Sequence, residues 1–258
     1  MKNKALKIFG FFLLLLLFIA LILIPLHQKA PARVKKAPRL AGRIVIVLDD
    51  WGYSLNNLGI IEQIKQPLTC AILPNLKNSS SVMQRLHSLG FEIILHLPME
   101  PKEKYNLESN TITLGMNAKE ISDIFQSDLS SVTFAKGISN HMGSRITEDK
   151  KASTLVMEEA KKRNLYFFDS FVTNRSVCLA LAKKINIRFA KRDVFLDNQN
   201  NPGYIQGQLI KLKNLAKRQG TAIGIGHDRK NTLLVLKEML GPMEKEGYKF
   251  VFLSQVER

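Results

Sequence analysis

The sequence predicts an α/β fold, read as a parallel barrel or a doubly wound sheet. Three observations predict it. Short apolar runs of strand length recur at residues 44–48, 68–73, 91–95, 136–139, 165–168, 187–190, 221–225 and 249–253. Amphipathic stretches of helical period lie between most of them. Side chains able to do chemistry collect just past the carboxyl ends of the runs, where α/β folds build their sites.

Residues 8–26 precede this pattern and differ from it. They carry no charge, are almost wholly Leu, Ile and Phe, and follow Lys2, Lys4 and Lys7. Nineteen residues at helical rise just span a hydrocarbon core, and flanking lysines leave the N-terminus in the cytoplasm. Residues 1–26 therefore read as a cytoplasmic N-terminus and uncleaved membrane anchor, with the rest extracytoplasmic. A cleaved signal peptide is the competing reading, because the start is lysine-rich and Ala30-Pro31-Ala32 follows. Residues 27–42, basic and bearing Pro31 and Pro38, read as a linker. Residues 43–258 form one domain.

The formal charge is +16, spread along the chain in lysine-rich helices such as Lys211-Leu212-Lys213. No aromatic-interleaved basic platform accompanies it, so a solvated lysine surface is expected and no nucleic-acid partner. Such charge also favours anionic lipid or acidic glycan. Cys70 and Cys178 both lie in apolar settings and are expected as buried free thiols.

Within the domain, residues 44–48 form a continuous β-branched and leucine run, the pattern of a strand buried on both faces. Asp49-Asp50-Trp51-Gly52 follows it directly. Adjacent acids repel, so a metal ion or an Arg or Lys should lie beside them. Asn117 and Glu120 form a capping box opening a helix over residues 118–129. Further helices are expected over 152–163 and 232–245, and Gly90 and Gly220 mark helix ends. There is no Gly-x-Gly-x-x-Gly after the first strand, no Walker-type loop and no internal repeat.

His96 ends the third run and His141 the fourth; Asp169 and Ser170 end the fifth; Asp193 and Asp197 flank a short segment near the sixth; His227 and Asp228 end the seventh. Three of the five histidines thus fall at strand ends. The other two need no function: His27 is at the membrane boundary and His87 on a short polar helix face. One Asp and two His suit Zn²⁺ with a position open for water, and also Fe²⁺, Co²⁺ or Mn²⁺. The outline is metal-assisted hydrolysis with a carboxylate base and a histidine acid.

These motifs together resemble the polysaccharide deacetylases, the NodB-like carbohydrate esterases. Asp49-Asp50 resembles the family's first motif, in which the first Asp is the base and the second binds metal. Gly90-Phe91-Glu92-Ile93-Ile94-Leu95-His96 resembles the approach to the second motif, which ends in a metal-binding His with another four residues later. Glu100 stands at that later position here. Asn140-His141-Met142-Gly143-Ser144 occupies the place of the third motif, normally Arg-x-Pro-x-Gly. Gly226-His227-Asp228 resembles the last motif, whose His is the acid. The combination looks like the divergent branch of the family found in bacterial envelopes, and it covers residues 43–258.

The resemblance implies a distorted, incomplete (β/α) barrel of about seven strands. It implies Asp50 and His96 as metal ligands, with Asp49 as base and His227 as acid; His141, a histidine where the family has none, is assigned as the third ligand, and Zn²⁺ stands first among the metals. Backbone N–H groups near Met142-Gly143 would stabilise an oxyanion. Glu100 is a candidate fourth ligand or substrate contact; Asp169, Arg192 and Asp193 are candidates to orient His227 or hold Asp49. The implied substrate is an N- or O-acetylated envelope glycan met in the periplasm, with the inner membrane a partner through the N-terminal helix and the oligomeric state open. The alternative expectation is an inactive, metal-containing glycan-binding or envelope-scaffold protein.

Overall fold

The structure, a computed structural model, describes residues 2–23 and 40–256. The chain divides into two units, Met1–Ala37 and Pro38–Arg258. In the first, α1 (Lys2–Leu23) is a helix whose apolar side chains from Ile8 to Ile19 are exposed. Its uncharged part, residues 8–23, amounts to about 24 Å at the helical rise, short of the roughly 30 Å of a hydrocarbon core. Among the described residues no helix is long and apolar enough to cross a membrane. The span expected over 8–26 is thus not realised there, and residues 24–26 lie outside the described residues. The expected linker lies outside them too, except for residues 40–42.

In the second unit, β1 (Gly42–Trp51), α2 (Leu58–Ile61), β2 (Thr69–Ile72), α3 (Ser79–Ser88) and β3 (Glu92–Met99) follow one another. Next come α4 (Ala118–Ser131), β4 (Gly137–Met142), α5 (Ser144–Glu148), α6 (Lys150–Lys162), β5 (Tyr166–Asp169) and α7 (Cys178–Ile185). Then come β6 (Phe189–Lys191), β7 (Val194–Phe195), α8 (Pro202–Gln219), β8 (Thr221–His227), α9 (Lys230–Lys245), β9 (Tyr248–Phe250) and a 3₁₀ turn (Leu253–Gln255). The strands form one sheet in the order β6-β5-β4-β3-β2-β1-β8-β7, with β9 against the start of β1. Every pairing is parallel. The curled half-barrel with alternating helices is NodB-like. Its strands number nine among the described residues, not about seven, because β7 and β9 are only two and three residues long.

Alternation along β1 explains the layering. Ile44, Ile46 and Leu48 pack with helix residues such as Leu209, Leu212 and Leu236. Val45 and Val47 point the other way and pack with Ala71, Ile94, Tyr166, Phe168, Ile223 and Ile225. That second cluster is the inner face of the curl. Because side chains alternate with period two, the inner face continues past its apolar members into Asp49 on β1, His96 on β3 and His227 on β8. The expected capping box is present: Asn117 Oδ1 accepts from the backbone of Lys119 and Glu120, and Glu120 Oε2 accepts from Asn117 N. Cys70 and Cys178 are buried free thiols.

Candidate metal centre

Asp49 and Asp50 are adjacent yet serve one site, which a regular strand forbids. The register of β1 against β2 shifts between Leu48 and Trp51, and Asp50 has φ 64°. This bulge with a left-handed residue breaks the alternation. Asp50 is thereby turned to the side Asp49 already faces. Asp tolerates that conformation better than most residues.

Asp50 Oδ1 lies 3.3 Å from His96 Nε2 and 3.1 Å from His141 Nδ1. Asp49 Oδ2 lies 3.7 Å from His96 Nε2. Between β1 and β3, the intervening strand β2 offers the small Ala71 to the inner face. The β3–β4 register pairs His96 with Ser139 and Pro98 with His141. It brings His96 Nδ1 to 2.7 Å from Ser139 Oγ and sets the two imidazoles edge to face, centroids 5.0 Å apart. After His141 the chain turns through Met142 and Gly143 at φ 53° and 85°. A Cβ at Gly143 would stand 2.8 Å from Met99 Cβ, so only glycine fits this turn.

On the other flank, Asp49 and His227 are register partners. His227 Nε2 lies 3.9 Å from Asp50 Oδ2. Its Nδ1 is 2.8 Å from Asp197 Oδ1, while Asp197 Oδ2 accepts from His227 N and from Thr232 Oγ1 at 2.8 and 2.6 Å. Asp197 reaches this position because β7 pairs with β8 and Leu196 N continues the ladder to Ile225 O.

Burial raises the pKa of Asp49, against the pull of His96 and His227. Burial also works on Asp50, but hydrogen bonds from His141 and His96 outweigh it and hold Asp50 far below the usual carboxylate range. For His141 and His227, burial disfavours the cation, yet Asp50 and Asp197 respectively win and raise both.

Asp50, His96 and His141 offer one ligand atom each within 4.8 Å of one another, and can hold a metal ion. The donors fit such an ion: one carboxylate and two imidazoles is a standard set for Zn²⁺. Asp49 Oδ1 and His141 Nε2 are buried without a hydrogen-bond partner, which marks a polar interior arranged for something further.

The structure brings together Asp49, Asp50, His96, His141 and His227, but not the remaining candidates. Glu100 is committed elsewhere, with Oε1 2.7 Å from Arg145 Nη1 and Oε2 accepting from Leu114 N. Asp169 alternates onto the opposite side from Phe168, and accepts from Phe171 N and Ser176 Oγ. Arg192 donates to the carbonyls of Ser170 and Phe171; it feels the charge of Asp49, with no hydrogen bond between them. Asp193 accepts from Ile223 N at the sheet edge. None of the three orients His227, which is the work of Asp197. Sequence reasoning placed Asp197 without assigning it, and missed Ser139, Tyr53 and Glu108; Tyr53 donates to Glu108 Oε1, which lies 3.3 Å from His141 Nε2.

A curled parallel half-barrel with acids and imidazoles gathered at the carboxyl ends of its strands defines a class, the NodB-like proteins. The chain belongs to one family of it, the divergent polysaccharide deacetylases, whose profile matches residues 46–256. It is 35% identical over 204 residues to protein YibQ of Escherichia coli K12, spanning 79% of this chain and 64% of that relative. Protein ATU2773 of Agrobacterium tumefaciens C58 superposes with a TM-score of 0.80 at 25% identity, covering 87% of this chain and 92% of that one. The catalytic domain of a peptidoglycan N-acetylglucosamine deacetylase from Eubacterium rectale shares the fold, with a TM-score of 0.50 at 10% identity over 89% of this chain and 94% of that one.

Proposed function

We propose that this chain is a metal-dependent hydrolase that removes acetyl groups from an envelope glycan. The observation that carries the proposal is the pairing of two unlike proton carriers across the three-residue cluster. Asp49 is buried with Oδ1 unpartnered, and His227 is held by a fully buried Asp197. A glycan-binding scaffold has no need of either.

Asp50, His96 and His141 would hold the ion, Zn²⁺ by preference, and the bound ion would polarise the acetyl carbonyl and acidify water. Asp49 takes a proton from the water that attacks the carbonyl carbon, and its raised pKa suits it to that work. His227 gives a proton to the departing amine, or alcohol in an ester, as the bond to carbon breaks. Asp197 keeps His227 Nδ1 engaged, so that Nε2 faces the reacting atoms. Acetate and the deacetylated glycan, carrying a free amine or hydroxyl, are the products. The family's description supports a polysaccharide substrate.

The test is metal analysis of the purified full chain together with acetate release from acetylated amino-sugar polymers. One divalent ion per chain and chelator-sensitive acetate release are expected. His141→Ala should lower bound metal substantially, as expected for losing one of three protein ligands. A chain that binds the ion and the polymer, yet releases no acetate from any of them, would leave the scaffold as the correct reading.

We further propose that the uncharged apolar run over residues 8–26, behind Lys4 and Lys7, is an anchor that holds the domain in the periplasm. A reporter fused after Gly42 should be active only outside the cytoplasm, and the mature chain should begin at Met1. A processed N-terminus near Ala32 would identify a signal peptide instead.

A further inference from the structure

We infer that Glu108 is the outer carboxylate of this centre, a positioning residue that fixes the His141 ring with Nδ1 toward Asp50. This role rests on the reading of Asp50, His96 and His141 as ligands. The His141 ring is bracketed by two acids, Nδ1 3.1 Å from Asp50 Oδ1 and Nε2 3.3 Å from Glu108 Oε1. A neutral imidazole has one N–H and one lone pair. If Nδ1 is the ligand atom, the proton sits on Nε2, buried and in need of an acceptor. Glu108 is the carboxylate within reach of it. Nε2 is buried with no hydrogen-bond partner of its own, and Glu108 Oε1 is the acceptor that stands 3.3 Å from it.

His96 makes the complementary choice. Its Nε2 faces Asp50 and its Nδ1 meets Ser139 Oγ. The two rings therefore use opposite nitrogens, and each has its own outer partner, the arrangement that fixes tautomer and ring orientation at metal sites.

Glu108 is itself held from several sides. Tyr53 OH donates to the same Oε1 at 2.5 Å, and Thr111 Oγ1 donates to the Glu108 carbonyl at 2.7 Å. Ile112 returns the segment to the sheet, with its carbonyl accepting from Glu100 N and its N–H donating to Pro98 O. Asn110 ties it to α4 through Ser127 and Asp128. The carboxylate is only 15% exposed. A segment between β3 and α4 thus carries an acid back over the site.

The test uses the full chain with ¹⁵N-labelled histidine, and reads both the His141 tautomer in the Zn²⁺-loaded protein and the dissociation constant for Zn²⁺. Wild type should carry the proton on Nε2. Glu108→Ala should mix the tautomers and weaken Zn²⁺ by about 10–100-fold. Glu108→Gln, whose amide oxygen still accepts from Nε2–H, should restore the tautomer and most of the affinity. Tyr53→Phe should cost less than Glu108→Ala. A folded Glu108→Ala chain with unchanged tautomer and affinity overturns the inference while leaving the centre intact. So does a Glu108→Gln chain as weak as the alanine one, with a Co²⁺ spectrum showing one donor fewer, because Glu108 is then a ligand. If wild type takes up no ion, the reading of the centre fails; a loaded centre left unchanged by Glu108→Ala fails the positioning role alone.

Discussion

Asp49→Asn is expected to cut hydrolysis by about 10²–10⁴-fold, the usual range for a lost general base, while metal content stays close to wild type. The amide is nearly isosteric and Asp49 Oδ1 has no hydrogen bond to lose. Asp50→Asn should instead lose metal and activity together, since a neutral amide poorly replaces an anionic ligand. The comparison is clean because Asn accepts the left-handed backbone at position 50 almost as well as Asp does. Neighbours that fail in different ways are what a base beside a ligand produces. Full complementation of a deletion strain by Asp49→Asn would sink the enzyme reading, whatever trace activity the purified protein showed.

Asp197→Asn carries the second large effect. Removing the carboxylate behind a catalytic imidazole lowers kcat by up to about 10⁴-fold in the serine-protease case, through the wrong tautomer. A loss of about 10²–10⁴-fold in kcat is expected here, with bound metal unchanged, because Asp197 touches His227 and none of the ligands. The fold should weaken as well, by about 1–3 kcal/mol, since one new NH₂ group faces donors from His227 N or Thr232. Steady-state kinetics beside a thermal melt separate the two effects. A variant with normal kcat and a lowered Tm would reduce Asp197 to a structural residue.

The legible part of this fold was what local pattern encodes. Each of the eight apolar runs contains or overlaps a strand, and Asn117 with Glu120 opens α4 as expected. β7 escaped because two residues leave no pattern. Asp197 was visible in the chain, but its role depends on β7 pairing with β8, a contact between distant residues. Glu108 lies in a stretch without periodicity and reaches His141 only through the path from β3 to α4. The turn of Glu100 toward Arg145 could not be read locally, because that partner comes from beyond the next strand. Asp169 could have been excluded earlier: Tyr166 and Phe168 share the inner face, so the residue between Phe168 and Ser170 faces outward. The same parity argument correctly carries Val45 and Val47 forward to Asp49, and it fails for Asp50, where the bulge intervenes.

That bulge narrows the alphabet at position 50 from two independent directions. The chemistry asks for a carboxylate, which leaves Asp and Glu. The backbone, at φ 64°, favours Gly, Asn and Asp and penalises longer and branched side chains. Asp alone satisfies both requirements. A drifting sequence can therefore leave this position by two routes with different outcomes. Through Asn or Gly it keeps the shape and surrenders the charge, ending as a well-folded protein with an empty centre. Through Glu it keeps the charge and strains the shape. The first route is the gentler one, so chains with this bulge have a ready path from hydrolase to silent binder that leaves the barrel untouched.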